Sequence, residues 1–212
     1  MKLKILNLLS PEIDKNLVES IYLQCLESYT PVAKKNNYDI LPDHIYANHF
    51  ALALIGVDGL IGFSLLRVQH ILLLDQLKMA YFKGISDETK DYIKSKCNNL
   101  LSIEWVTVSE KYRGKFQKFQ PADLVIGLSL MFAANSEYDG AIGLSRMDIG
   151  AERISPRYGA TQLGIIQRNN IDTAIMFMPK ENFKLPEHKG LQNKILELWN
   201  EAINSQTIRK AA

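Results

Sequence analysis

The chain has 212 residues, of which 47% are hydrophobic and 23% charged, and its formal net charge is +2. This composition predicts one globular domain with a substantial core, and so small a charge favours neither a nucleic-acid nor a membrane partner. Two cysteines outside any metal-binding spacing, and an N-terminus that lacks a full signal-peptide apolar region, predict a reduced, cytoplasmic protein without a metal site.

The first elements are predicted from caps and periodicity. A strand is expected over residues 2–9, and a helix is expected to begin at Ser10-Pro11-Glu12, where a serine N-cap precedes proline and an acidic residue. Residues 30–45 are polar and are expected to be irregular.

The clearest local signal is a hairpin. Two apolar runs, 50–57 and 60–68, are joined by Asp58-Gly59, a dipeptide that favours a tight turn between antiparallel strands. Because both runs are almost continuously apolar, the sheet is expected to be covered on both faces.

The second half alternates strands and helices. The run HILLLDQLKMAYF, residues 70–82, is ambiguous between helix and strand, and Ser86-Asp87-Glu88 is expected to start a helix to about Lys96. The elements expected after it are a strand at 100–108, a helix at 121–135, a strand at 141–144, a helix at 149–158 shortened by Pro156, strands at 161–167 and 172–178 paired across Asn169-Asn170, and an amphipathic helix at 191–204. This order predicts an α/β (α+β) protein with a mixed sheet.

A basic turn follows the predicted strand 100–108. The stretch VTVSEKYRGK places Arg113, Gly114 and Lys115 a few residues after apolar Val106 and Val108, and a helix start follows at Pro121. Such a turn is either an ordinary solvated loop or an anion site, since unpaired N–H groups and a helix N-terminus attract negative charge.

This element order, with VTVSEKYRGK at its centre, resembles the GNAT (Gcn5-related N-acetyltransferase) superfamily over roughly residues 1–180. The resemblance implies one GNAT-like domain over 1–212, with a mostly antiparallel central sheet flanked by helices, an insert at about 69–99 and an added C-terminal helix at about 189–204. It also implies acyl-coenzyme A as co-substrate, held by the turn at Arg113, Gly114, Lys115 and Lys118. The glycines of the family pattern would fall on Phe116 and Lys118, so the loop departs from that pattern.

A second segment resembles the next helix of the family. Asp148 stands at the position of the family's asparagine and is implied in coenzyme A binding, Ala151 and Gly159 match, and Ser155 replaces the tyrosine that often protonates the leaving thiolate. Tyr158, one helical turn further, is an alternative proton donor. The apolar hairpin at 50–68 is a third correspondence.

The implied chemistry is amine attack on a thioester. Strand alternation puts Ser102, Glu104, Val106 and Val108 on one face, and a carboxylate on this strand is the general base in many family members, which makes Glu104 the candidate base. A backbone N–H at Val106, Val108 or a neighbour is the candidate donor to the thioester carbonyl.

Three functions remain open. The first is an N-acyltransferase that moves acetyl or another short acyl group to a small-molecule amine or peptide acceptor by direct attack in a ternary complex. The second is a long-chain N-acyl amino acid or homoserine lactone-type synthase, with the apolar insert lining an acyl pocket. The third is a non-catalytic ligand-binding module of the same fold. The C-terminal helix also permits a homodimer.

Overall fold

A computed structural model describes residues 1–40, 46–72, 80–114 and 119–211. Its strands are β1 (Lys2–Asn7), β2 (Phe50–Gly56), β3 (Gly59–His70), β4 (Asn99–Val108), β5 (Gly140–Arg146), β6 (Thr161–Arg168) and β7 (Ile171–Pro179). Its α-helices within these ranges are α1 (Lys15–Asn36), α2 (Asp87–Lys96), α3 (Pro121–Ala134) and α4 (Lys189–Ala211). Short 3-10 turns cover Ala80–Phe82, Glu110–Tyr112, Ala151–Arg153, Ser155–Tyr158 and Lys180–Asn182.

The strands form one mixed sheet of seven strands in the order β1-β2-β3-β4-β5-β7-β6. The pairs β1–β2, β2–β3, β5–β7 and β6–β7 are antiparallel, whereas β4 and β5 are parallel. The predicted α/β class with a mostly antiparallel mixed sheet is therefore confirmed.

The predicted start of the first helix is wrong. The Ser10 hydroxyl accepts a bond from the amide of Glu12 instead and makes a local turn. Asp14 is the N-cap of α1, and its carboxylate accepts from the amide of Leu17 at 3.1 Å. The helix also runs through Pro31 to Asn36, into the stretch expected to be irregular, and Asn37 ends it in the left-handed conformation. Residues 41–45 of that stretch lie outside the described residues.

The predicted hairpins are confirmed. Phe50–Gly56 pairs with Gly59–His70, and Gly59 adopts a φ of 104° that the turn requires. Asn169 and Asn170 join β6 to β7 with φ values of 50° and 60°. The side chains of β2 and β3 are buried at consecutive positions, as expected for strands covered on both faces.

The helix expected at 149–158 is replaced by two 3-10 turns, Ala151–Arg153 and Ser155–Tyr158. Pro156 has no amide hydrogen to continue an α-helical ladder. Gly159 then ends the second turn at a φ of 98°, as its position in the sequence predicted.

The insert predicted at about 69–99 contains the 3-10 turn Ala80–Phe82 and helix α2; residues 73–79 lie outside the described residues. Ser86 is the N-cap of α2, and its hydroxyl accepts from the amide of Thr89. The predicted cap and helix are therefore confirmed.

The chain divides into two compact units, and the boundary within β4 falls between Glu104 and Trp105. The first unit comprises Met1–Leu66, Trp105–Ser129 and Pro186–Ala212. Its core packs α1 side chains onto β2 and β3, and α4 lies against β1 with a buried stripe of Leu191, Ile195, Leu198 and Trp199. That stripe packs into the core of this unit.

The second unit comprises Arg67–Glu104 and Leu130–Leu185. Its core joins the insert to the strands through Ile71, Phe82, Ile85, Ile93, Cys97, Leu100, Ile142, Ile175 and Phe177. Cys97 here and Cys25 in the first unit are buried free thiols, as predicted.

Candidate active site

Glu104 is held by a chain of buried polar side chains. The hydroxyl of Ser102 donates to Oε1 of Glu104 at 2.7 Å, and Nε2 of Gln69 donates to the Ser102 hydroxyl at 3.0 Å. The backbone carbonyl of Arg67 is a second, longer acceptor for Ser102 at 3.3 Å. Because the hydroxyl has a single proton, the shorter bond to a charged acceptor is the one it favours.

This polar chain lies inside an otherwise apolar core. Ser102 and Gln69 are 0% and 1% exposed, and burial of polar groups costs free energy unless they are hydrogen-bonded. Within the described residues, Oε1 of Gln69 makes no hydrogen bond. This polar chain therefore combines favourable hydrogen bonds with one buried oxygen that has no partner among the described residues.

Glu104 lies just past the end of the β4–β5 register. The parallel pairing joins Leu100–Ile103 to Gly140–Gly143, and both strands continue beyond it. Burial changes at the same step, since Ser102 and Ile142 are fully buried and the residues that follow each of them are half-buried. The candidate base is thus half-buried, whereas Ser102 two residues before it is fully buried.

Trp105 introduces an irregularity into β4. Its φ is 50°, which lies in the left-handed region that large side chains rarely adopt. Such a residue within a strand re-aims the neighbouring amide groups, as β-bulges do beside active sites. This is the kind of feature that the candidate oxyanion donors, Val106 and Val108, require.

Helix α1 fixes the irregular part of β4. The Tyr29 hydroxyl donates to the backbone carbonyl of Val106 at 2.8 Å, and its ring meets Trp105 edge-on with centroids 4.9 Å apart. The preceding residue, Ser28, accepts from Nη2 of Arg113 at 3.3 Å. Two consecutive residues of one helix therefore hold the end of this strand.

Arg113, predicted to hold pyrophosphate, has contacts within the protein. Its Nε donates to the backbone carbonyl of Val108 at 2.9 Å, in addition to the bond to Ser28. Gly114 has a φ of 69°, and no atom of the described residues lies within 4 Å of where its side chain would project, which suits close approach of a ligand to its backbone. Lys115 and Lys118 lie outside the described residues.

The remaining predicted site residues lie after β5. Arg146 forms an ion pair with Asp148 through Nε and Nη2 at 3.0 and 2.6 Å. Tyr158 is 0% exposed, which places this candidate proton donor in the interior. Ser155 is also buried, and its hydroxyl makes no hydrogen bond within the described residues.

Sequence reasoning missed Tyr81. Its hydroxyl donates to the backbone carbonyl of Ile142 at 3.3 Å, and Ile142 is the register partner of Ser102. Burial raises the pKa of Tyr81 well above its usual value; the charge of Glu104 raises it further, and Arg168 acts in the opposite direction. Tyr81 lies in the run that was ambiguous between helix and strand, and no spacing links it to Glu104.

Structural comparison defines the class. No protein-family model and no curated protein sequence matches the chain. Solved structures do match over most of its length at low sequence identity, and this likeness shows that the chain has the GNAT fold. Within the described parts of the chain, no helix is both long and apolar enough to cross a membrane.

Three solved structures illustrate the likeness. BjaI, a CoA-dependent acyl-homoserine lactone synthase, matches with a TM-score of 0.58 at 8% identity, over 92% of this chain and 89% of its own. FeeM, an N-acyl amino acid synthase from uncultured soil microbes, matches with a TM-score of 0.55 at 13% identity, over 85% and 96%. An acyl-CoA N-acyltransferase from Pseudomonas aeruginosa matches with a TM-score of 0.52 at 13% identity, over 84% and 99%.

Proposed function

We propose that this chain is an N-acyltransferase that moves an acyl group from acyl-coenzyme A to an amine. The observation that carries the proposal is the position of Glu104, which accepts a bond from Ser102 at 2.7 Å and directly precedes the left-handed Trp105. A proton acceptor and re-aimed backbone amides are therefore adjacent in one strand. Amine attack on a thioester needs both.

In the proposed reaction, Glu104 removes a proton from the acceptor ammonium, directly or through a water molecule. The amine nitrogen then bonds to the thioester carbonyl carbon, and a backbone amide of the strand at Val106 or Val108 donates to the oxyanion. As the oxyanion collapses, the carbon–sulfur bond breaks and the attacking nitrogen loses its surplus proton to water, which leaves a neutral amide and the coenzyme A thiolate. The thiolate leaves unaided near neutral pH, because the pKa of an ordinary thiol is about 8.5.

Two features of the segment after β4 support placing coenzyme A there. Gly114 allows close approach to the backbone, and the N-terminus of α3 at Pro121 is the positive end of the helix dipole, which attracts an anion. Arg113 contributes through its bonds to Val108 and Ser28, which shape the turn. Lys115 and Lys118 add positive charge in the sequence between them.

Acetyl or another short acyl group is the first choice of donor. A longer acyl group is the second, and two observations favour it. Tyr81 of the insert and the partly buried side chains of Leu144, Leu163 and Ile166 all pack against the core cluster of the second unit. Together they supply apolar surface, which is what a longer acyl chain would contact. Two of the solved structures with this fold are also acyl-homoserine lactone and N-acyl amino acid synthases.

The test is thermal unfolding with acetyl-coenzyme A, coenzyme A and decanoyl-coenzyme A, followed by thiol release with a panel of amines and amino acids. A ligand that binds only the folded state raises the midpoint with concentration. Glu104→Gln should then keep the midpoint shift and lose most of the turnover. Glu19→Gln, an exposed change on α1, is the matched control.

Stabilisation by acetyl-coenzyme A alone supports the short-acyl enzyme, and preference for the decanoyl ester supports the long-chain synthase. Binding without turnover by any acceptor supports a non-catalytic module. Absence of any shift contradicts the proposed function.

A further inference from the structure

The hydroxyl of Ser102 lies among three polar groups of the second unit. Nε2 of Gln69 donates to its oxygen at 3.0 Å. Its hydrogen has two acceptors within reach, Oε1 of Glu104 at 2.7 Å and the backbone carbonyl of Arg67 at 3.3 Å. A hydroxyl donates one hydrogen bond and accepts up to two, so any single position of its hydrogen leaves one of these acceptors unused.

The charge of Glu104 decides which acceptor is used. An ionised carboxylate only accepts, and its bond to Ser102 is the stronger one because it is charge-assisted. A carboxyl group protonated on Oε1 can instead donate to the Ser102 oxygen, whose second lone pair is available beside the one that Gln69 uses. The hydrogen of Ser102 then turns to the carbonyl of Arg67, and the hydroxyl has its full set of partners in either state.

Gln69 fixes the oxygen about which the hydrogen turns. Gln69 and Ser102 are 1% and 0% exposed, and a buried hydroxyl that lacks its bonds costs free energy. Nε2 of Gln69 donates to Ser102 whatever the charge of Glu104, because a side-chain amide nitrogen is a donor only. The Ser102 oxygen is therefore held in one place while its hydrogen is able to change direction.

The surrounding charges leave Glu104 as the group that titrates. Burial raises the pKa of Tyr81 well above its usual value, the charge of Glu104 raises it further, and Arg168 acts in the opposite direction. Tyr81 therefore stays protonated below about pH 8, and the guanidinium groups of Arg67 and Arg168 stay charged. Among the described residues that these contacts and charges link, Glu104 is the one whose charge changes between acidic and neutral pH.

We propose that Ser102 is a positioning residue whose hydroxyl changes acceptor with the charge of Glu104, from Oε1 of the ionised base to the Arg67 carbonyl when the base is protonated. The inference rests on the proposed acyltransferase function and describes how its base is held through a turnover. An N–H bond of the acceptor ammonium breaks as an O–H bond of Glu104 forms. The protonated oxygen occupies the Oε1 position directly or after a half-turn of the carboxyl group, which exchanges two equivalent oxygens. Because the other heavy atoms keep their places, the proton transfer needs little reorganisation.

The test is a pH titration of the ¹³C-labelled protein by NMR, and it needs no ligand. The carboxyl carbon of Glu104 is assigned by its loss in Glu104→Gln, and the carbonyl carbon of Arg67 is observed through the amide of Val68. We expect the Arg67 carbonyl to shift with the same midpoint as the Glu104 carboxyl, because it gains a hydrogen bond as Glu104 is protonated. In Glu104→Gln this shift should be absent.

Ser102→Ala separates the proposed contact from the electric field of the carboxylate, which the variant retains. The Arg67 carbonyl should no longer follow Glu104 in this variant. The Glu104 midpoint should rise by about one pH unit, since a bond to an ionised group is stronger than a bond to a neutral one. Ser64→Ala is the matched control, because Ser64 is a buried serine of the same sheet whose hydroxyl is paired with that of Ser129. It should leave both titrations unchanged.

The inference is overturned if the Arg67 carbonyl of the wild type does not follow Glu104, or if it follows equally in Ser102→Ala. An unchanged Glu104 midpoint in Ser102→Ala would also overturn it. Failure of the wild type to bind acyl-coenzyme A would instead contradict the proposed function and would leave the titration result standing.

Discussion

The Tyr29 hydroxyl donates to the backbone carbonyl of Val106 across 2.8 Å, although 77 residues separate them in the chain. The bond joins helix α1 to the residue that follows the left-handed Trp105. It thereby holds the part of β4 whose amides the proposed reaction uses.

Tyr29→Phe should lower the free energy of unfolding by about 1 kcal/mol, the usual net value of one such bond. It should also reduce kcat more than the acyl-coenzyme A midpoint shift, because the amides lose their fixed direction. Urea unfolding and steady-state kinetics measure the two effects. Tyr22→Phe, two turns earlier on the same helix, is the control, and an unchanged kcat in Tyr29→Phe would refute the positioning role.

Trp105 provides a test of backbone conformation. In an ordinary strand, glycine is less stable than alanine by about 0.5–1 kcal/mol. At a φ of 50° we expect the reverse order of stability, because the left-handed conformation strains the Cβ of alanine and glycine has no Cβ. We expect Trp105→Gly to be more stable than Trp105→Ala by about 1 kcal/mol in urea unfolding. The ordinary order, alanine above glycine, would contradict the irregularity.

Ser102 should act through Glu104. Ser102→Ala removes the donor to Oε1 and leaves Nε2 of Gln69 without its bond, so we expect a loss of about 1–3 kcal/mol in stability and a lower kcat. In the Glu104→Gln background the same change should cost little further activity, since coupled residues are not additive. Equal losses of activity in both backgrounds would show that Ser102 acts independently of Glu104.

A substitution at Arg113 distinguishes a structural role of this side chain from direct phosphate binding. Arg113→Lys keeps the charge but breaks the forked contact with Val108 and Ser28. We expect a lower midpoint of unfolding with the acyl-coenzyme A shift retained. Ser28→Ala removes only the longer contact and should have a smaller effect. A lost shift in Arg113→Lys at unchanged stability would assign the guanidinium directly to the phosphates.

Because the thiol of Cys25 is buried, we expect the protein to lose stability at alkaline pH. Burial raises the pKa of its thiol to about 12, against about 8.5–9 in the unfolded chain. The folded state therefore keeps the proton more tightly, and this contribution is complete below pH 8.5 and lost as pH rises towards 12. At pH 10 the loss is about 1.4 kcal/mol.

Cys25→Ala lacks this dependence, so its stability deficit relative to the wild type should narrow by that amount between pH 7 and pH 10. Urea unfolding at the two pH values measures it. A constant deficit would mean that the thiol titrates alike in both states.

The features that sequence reasoning predicted correctly depend on short-range rules. Asp58-Gly59 and Asn169-Asn170 accept the positive φ of tight turns, and Ser86 caps the helix that follows it. Ser10 does not cap the first helix, because a serine hydroxyl can accept from the backbone in a local turn as well as at a helix N-terminus. The α-helix expected at 149–158 from its apolar spacing does not form, because Pro156 cannot donate the backbone hydrogen bond that an α-helix needs.

The sequence by itself determined the order of strands and hairpins and the placement of Glu104 on β4 with Ser102 two residues before it. Hydrophobic periodicity, the residue preferences of tight turns and helix caps each depend on a few neighbouring residues, so they can be recognised directly in the sequence. Only the tertiary structure decided that Trp105 is left-handed, that Arg113 bonds to α1 and that Tyr81 reaches Ile142 from 61 residues away. Those contacts depend on the joint packing of many side chains that are far apart in the sequence, and no local sequence pattern encodes that packing.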